Sequence, residues 1–102
     1  MKKVSLFKVK SGKLERWKEW ASQLDSILKG QALETLSEEG LVEEACFLFE
    51  FMDENLVLAF IDGEMLAPDM NKTINQKHQQ MKDECLEYIT DGETLYHLKI
   101  TP

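Results

Sequence analysis

The segment Ile74-Asn75-Gln76-Lys77-His78-Gln79-Gln80-Met81-Lys82-Asp83-Glu84-Cys85 brings a histidine, two acids and a cysteine within a few helical turns. His78 lies four residues after Ile74 and three before Met81, on the apolar stripe of a helix. An imidazole there titrates near neutrality and is tuned by burial, so it suits a general base or a polar anchor in a pocket. It equally suits a structural histidine between helix and sheet, held by one or two hydrogen bonds. The acids Asp83 and Glu84 are not one turn from His78, Cys85 is two turns away, and no paired-histidine zinc pattern exists. No metal site is expected.

Glu50 is the other candidate for chemistry, because it interrupts the apolar run Phe47-Leu48-Phe49-Glu50-Phe51-Met52. Near a strand end it reaches solvent. Facing the helices, it would pair with His78 or Tyr88 and need a partner or a raised pKa. Trp17 and Trp20 are three residues apart on a helix and read as core and interface aromatics, or as a wall for a flat organic ligand. Trp17, Trp20, His78 and Tyr88 are thus the candidate pocket. Cys85 follows the His78 stripe and reads as a core thiol unless His97 approaches it, and Cys46 reads as strand packing. Glu38-Glu39 and Glu43-Glu44 read as a solvated acidic patch. There is no phosphate-cradling glycine loop, acylating serine motif or basic-aromatic RNA pattern, and no cofactor is implied.

The chain has 102 residues, enough for one domain spanning 1–102 with a modest core. With 43 % apolar residues it is not a disordered polymer. Nineteen acids against twelve bases give a net charge of −7, which repels phosphate backbones and anionic lipid. Nucleic acid and membrane are therefore not expected partners. No secretory apolar region follows Met1-Lys2-Lys3, and the run Leu56 to Ile61 is too short to span a bilayer. Two cysteines without a CxxC pattern suit free thiols in a reducing cytoplasm.

Several elements must position these residues. Lys3 to Lys10 reads as a first strand, closed by Ser11-Gly12, either of which is a weak helix cap. Leu14, Trp17, Ala21, Leu24 and Leu28, widened by Trp20 and Ile27, mark an amphipathic helix. Gly30 kinks or breaks it before a shorter segment with Ala32, Leu33 and Leu36, which Gly40 stops. Leu41 to Met52 and Asn55 to Asp62 read as a hairpin, and Glu64 to Asp69 as a short helical or irregular piece. Ile74, His78, Met81, Cys85, Tyr88 and Ile89 predict a helix ending at Asp91-Gly92, and Thr94 to Ile100 a last strand. The order βαββαβ predicts an α+β, ferredoxin-like plan: a four-stranded antiparallel sheet with two main helices on one face.

Such a sheet should be polar on its second face. This one is not. Leu41, Ala45, Phe47, Phe49 and Phe51 share one side of their strand and Val42, Cys46, Leu48 and Met52 the other. In the next strand Leu56, Leu58 and Phe60 alternate with Val57, Ala59 and Ile61. A solvent-facing Phe triplet is an aggregation hazard, relieved when two sheets pack face to face in a symmetric homodimer. The alternative is a monomer whose Ala32 to Leu36 segment covers more of the sheet.

With that plan, the chain resembles the dimeric α/β-barrel superfamily and, within it, a set of small uncharacterised bacterial proteins. The resemblance rests on Lys8-Val9-Lys10-Ser11-Gly12-Lys13-Leu14-Glu15-Arg16-Trp17, the Glu38-Glu39-Gly40 turn before a Phe-rich strand, and His78 with Glu84-Cys85-Leu86-Glu87. It implies a homodimer with a pocket between sheet and helices in each subunit. The superfamily includes cofactor-free quinol-type monooxygenases, haem-degrading enzymes, chlorite-dismutase relatives and muconolactone isomerases. The haem-degrading branch carries an early Asn, whereas no Asn precedes Asn55 here, and His78 does not align with the haem ligand. The expectation is a cytoplasmic homodimer with a binding, structural or regulatory role and a small apolar or aromatic ligand. The alternative is a cofactor-independent monooxygenase or isomerase acting on a small aromatic or quinol-like molecule, with His78 as base and Glu50 its partner.

Overall fold

The computed structural model describes residues 1–100. In chain order the elements are β1 (Lys2–Val9), α1 (Leu14–Leu24), α2 (Lys29–Glu38), β2 (Leu41–Phe51), β3 (Glu54–Gly63), α3 (Thr73–Cys85) and β4 (Leu86–Asp91). Every ladder is antiparallel and the sheet order is β2-β3-β1-β4. This is the ferredoxin-like α+β plan, with the shorter helical segment expected around Ala32 to Leu36 standing as a separate helix beside the two main ones.

The extra helix arises from a break ahead of Gly30. After Leu24 the Leu28 N–H reaches back to the Gln23 carbonyl (2.8 Å), and the Ser26 hydroxyl donates to the Ser22 carbonyl (2.6 Å). These bonds close α1, and Gly30 falls in the first turn of α2. Ile27, expected on the buried stripe, sits in the connecting turn and is exposed. At the start of α1 the capping position is Lys13 and no side chain caps it, so neither Ser11 nor Gly12 serves.

The β2–β3 hairpin turns on Met52 and Asp53, both with positive φ (51° and 63°). A two-residue link with both residues left-handed is the turn that follows the natural strand twist. At the other end of β2 the register slips between Leu41 and Glu43. That irregularity buries Leu41 and turns Val42 to solvent, reversing the sides expected for them.

The C-terminal part departs most from expectation. The helix ends at Cys85 and Leu86 begins β4, so Tyr88 and Ile89 are strand residues. Leu-Glu-Tyr-Ile-Thr is β-branched and aromatic enough to pair, and β1 takes it up. Val9 pairs with Leu86, and the Lys10 N–H donates to the Cys85 carbonyl (2.8 Å) at the changeover. The expected strand from Thr94 to Ile100 belongs to no strand of this chain.

All three helices lie over one face. Val9, Trp17, Trp20, Val57, Ile74, Met81, Cys85 and Leu86 form the buried cluster, with Leu24, Leu28 and Ala32 packed against it. Lys72 ties α2 to α3 through Glu34 (3.1 Å) and Glu38 (2.7 Å). The opposite face carries the pairs Ala45–Phe60, Phe47–Leu58 and Phe49–Leu56, continued on β1 by Val4 and Leu6. Phe47, Phe49 and Phe51 remain 50 %, 50 % and 63 % exposed, so α2 does not cover them.

Two glycines separate backbone constraint from helix propensity. A Cβ on Gly63 (φ 145°) would lie 2.3 Å from the Gly40 carbonyl oxygen, while one on Gly30 meets nothing. Gly63→Ala is expected to cost about 2 kcal/mol or more in urea denaturation. Gly30→Ala is expected to stabilise by about 0.5–1 kcal/mol in the same assay.

Candidate functional site

Ile74 and Met81 are both buried, and the helical period therefore turns His78 inward between them on α3. Opposite it, the three-residue spacing on α1 turns Trp17 and Trp20 to the same core, and both are buried. The Trp20 indole Nε1–H donates to His78 Nδ1 at 2.9 Å. The imidazole lies 6.0 Å from the Trp20 ring and 6.3 Å from the Trp17 ring, tilted by 34° and 39°.

Burial, and then the ammonium of Lys82 one turn further along α3, lower the His78 pKa to about 4. At neutral pH the ring is uncharged. Because Nδ1 accepts the indole hydrogen bond, the ring proton sits on Nε2. Nδ1 is thus occupied and weakly basic. The ring is a neutral anchor before it is a proton acceptor.

The wall beside this aromatic group comes from β2. Cys46 and Glu44 share the strand side that faces the helices, since Cys46 pairs with Ala59 next to the buried Val57. Cys46 keeps an exposed edge, yet desolvation pushes its thiol up, opposed by the nearby Trp17 indole N–H. It stays a thiol at neutral pH and is a poor nucleophile. Burial also raises the Glu44 carboxyl against the pull of Lys82. Glu39 is raised first by burial and then by Glu44 and Glu38, again opposed by Lys82. Two carboxyls whose pKa burial raises, and the Lys82 ammonium that opposes the rise, therefore lie on the side of β2 and α2 near this aromatic group.

This set was only partly foreseen. Trp17, Trp20 and His78 come together, whereas Glu50 and Tyr88 do not join them. Glu50 is exposed at the hairpin end, where it lines a surface hollow with Asp53 and Asn55. Four residues from Cys46 along a strand place it about 13 Å away. Tyr88 is 58 % exposed on β4, at the sheet edge opposite β2, and packs edge-to-face on Phe7 (5.8 Å). Cys85 is a core thiol pushed up by burial, and His97 lies exposed beyond β4. Asp83 accepts from Gln79 (2.9 Å) and Glu84 from Arg16, so the acids of the opening segment are engaged elsewhere. A second hollow along the outer side of α3 is lined by Gln76, Gln79 and Gln80 and does not reach His78. Among the described residues no group of three or more His, Cys, Asp or Glu side chains is arranged to hold a metal ion. Among them, too, no helix is long and apolar enough to cross a membrane.

The sequence reads Glu39 and Glu44 as a solvated acidic patch and does not single out Lys82; Glu44 is exposed, on the helix-facing side of β2. Strand alternation does carry the signal for Glu44, which has the parity of Cys46 and Leu48.

The sequence pattern of DUF6176, described as a family of unknown function, matches residues 2–101. The chain belongs to this family. The DUF6176 chain is similar in structure to an L-rhamnose mutarotase from Formosa agariphila, with a TM-score of 0.61 and 18 % identity. The match covers 97 % of this chain and 99 % of the mutarotase chain. At that identity the likeness establishes the fold, and the resemblance to small uncharacterised α/β-barrel proteins stands. No curated protein sequence matches it.

The His78 environment makes a signed prediction. Its folded pKa lies below the unfolded 6.5, so its contribution is complete above that pH and is lost as pH falls toward about 4. The loss amounts to about 3 kcal/mol across that window. His78→Asn keeps an acceptor for Trp20 but cannot titrate. Urea denaturation from pH 7 to pH 4 should show this variant's stability falling less steeply than the parent's.

Proposed function

We propose that the protein works as a homodimer closed through the open sheet face, as a binding, structural or regulatory protein. The observation that supports this most is the uncovered row Phe47, Phe49 and Phe51 against Leu56, Leu58 and Phe60. A contiguous apolar face of that kind on a soluble chain is an interaction surface. A sheet paired with its own copy gives every row a matching row by symmetry. Each protomer is one domain over 1–102, and the two free cysteines suit a cytoplasmic home. Any ligand is a small apolar or aromatic molecule resting on Trp17, Trp20 and the neutral His78. The engagement of His78 Nδ1 by Trp20 supports an anchoring role over a catalytic one.

A second reading is a cofactor-independent isomerase or monooxygenase acting on a small ring compound, aromatic or quinol-like. What favours it is the pair of carboxyls, Glu39 and Glu44, whose pKa is raised by burial and lowered by the nearby Lys82. Opening and reclosing a sugar ring requires one group to give a proton and another to take one, without a cofactor. The fold shared with an L-rhamnose mutarotase makes a reducing sugar the first compound to try beside quinols.

Two experiments separate these readings. Phe49→Glu is expected to leave the far-ultraviolet circular dichroism unchanged and to convert a dimer into a monomer by light scattering. A dimer that survives Phe49→Glu would move the interface elsewhere. For the isomerase, magnetisation transfer between sugar anomers should be accelerated by the parent protein and slowed at least about tenfold by Glu44→Gln. No acceleration by the parent retires the sugar version of the second reading.

A further inference from the structure

The helices leave part of their own side of the sheet uncovered. Leu48 pairs with the buried Val57 and so faces the helices, yet it is 40 % exposed. Cys46, two residues away on the same side of β2, is exposed as well. Beside Cys46 stands Trp17 of α1, and the half-buried His78 of α3 has its ring centre 6.3 Å from that of Trp17. An opening on the helix side of β2 is therefore bounded by two rings that each carry an N–H.

The state of those two N–H groups follows from their neighbours. Trp20 occupies His78 Nδ1, which leaves the His78 Nε2–H as a donor. The Trp17 Nε1–H lies by the Cys46 sulfur, a weak acceptor. Among the described residues neither group donates to an oxygen or nitrogen, and no fully buried side-chain nitrogen or oxygen is left without a partner. Both donors therefore open to solvent. Trp17 is only 7 % exposed, and that remainder includes its one polar atom. Rings held this firmly by packing present their hydrogens at fixed points, as a recognition site requires.

Two donors call for oxygen that accepts. A carbonyl oxygen offers two lone pairs and has no proton of its own to place. A carboxylate accepts too, but the cation acting on His78 is Lys82, and Lys82 also acts on the carboxyls of Glu39 and Glu44. On a chain of net charge −7, one ammonium set against two carboxyls leaves no positive charge to spare for an anion. The spacing of the two rings brings both donors within the span of one small cyclic molecule.

We infer that Trp17 Nε1–H and His78 Nε2–H form a donor pair for carbonyl oxygen on a small neutral ring compound, bound beside Cys46 and Leu48 on the helix side of β2. This rests on the reading of Trp17, Trp20 and His78 as the resting place of a ligand, and it names the chemistry by which that ligand is recognised.

The test uses the full chain and three probes of nearly one shape. Acetophenone carries a carbonyl, α-methylstyrene has a methylene group in its place, and benzoate is the anion. In nitrogen-15 spectra of the free protein the His78 proton should lie on Nε2. Acetophenone should move the Trp17 indole and His78 ring N–H resonances downfield and leave the Trp20 indole, already bonded within the protein, in place. Trp17→Phe should weaken acetophenone about three- to tenfold and leave α-methylstyrene unchanged. The parent's spectra decide if that variant does not fold. An equal response to acetophenone and α-methylstyrene overturns the donor pair and leaves the resting place standing. So does benzoate bound more tightly than acetophenone, or a His78 proton found on Nδ1. No response of Trp17, Trp20 or His78 to any probe at millimolar concentration overturns both.

Discussion

The sheet of this protein is apolar on both faces, and its helices cover one. Everything else is arranged around that imbalance. On the covered side, Trp17 and Trp20 of α1 and Ile74, Met81 and Cys85 of α3 enclose Val9 and Val57. On the open side Phe47, Phe49 and Phe51 keep half or more of their surface in water. Fully burying one Phe gains about 1.5–3 kcal/mol, so each of these rings leaves about 1 kcal/mol unrealised. Over two copies that is about 6 kcal/mol, near the low end of the cost of associating two proteins. The phenylalanines alone are thus marginal for a dimer. In the proposed dimer, Leu56, Leu58 and Phe60 would supply the remainder.

The same imbalance explains where the polar groups sit. A ring nitrogen buried beside two indoles needs a partner, and the Trp20 N–H supplies it, which fixes His78 as a neutral acceptor. Burial raises the pKa of Glu44 and Glu39, and the charge of Lys82 opposes that rise.

How much of this was legible in the sequence depends on the range of the deciding interaction. The period-three-and-four stripe of α1 and the alternation of β2 and β3 are local, and both faces of the hairpin were readable from them. So was the inward turn of His78 between Ile74 and Met81. The end of α3 was not. Tyr88 and Ile89 continue the helical spacing from Cys85, and only pairing with β1, nearly eighty residues away in sequence, draws Leu86–Asp91 into the sheet. The slip between Leu41 and Glu43 is likewise invisible to a strict two-residue period. Glu50 was singled out for interrupting an apolar run, but its depth depends on distance along the strand, which alternation does not report. Glu44, read from the sequence as part of a solvated acidic patch, is exposed too, on the same side of the strand as Cys46.

Sedimentation equilibrium of the unmodified chain over the micromolar range, at neutral pH and moderate salt, tests the central claim most directly. The account predicts twice the mass of the chain throughout, with little dependence on salt, because apolar rows and not charges hold the two sheets together. A single-chain mass across the whole range would contradict it and leave the Phe47–Phe51 face without a physical explanation.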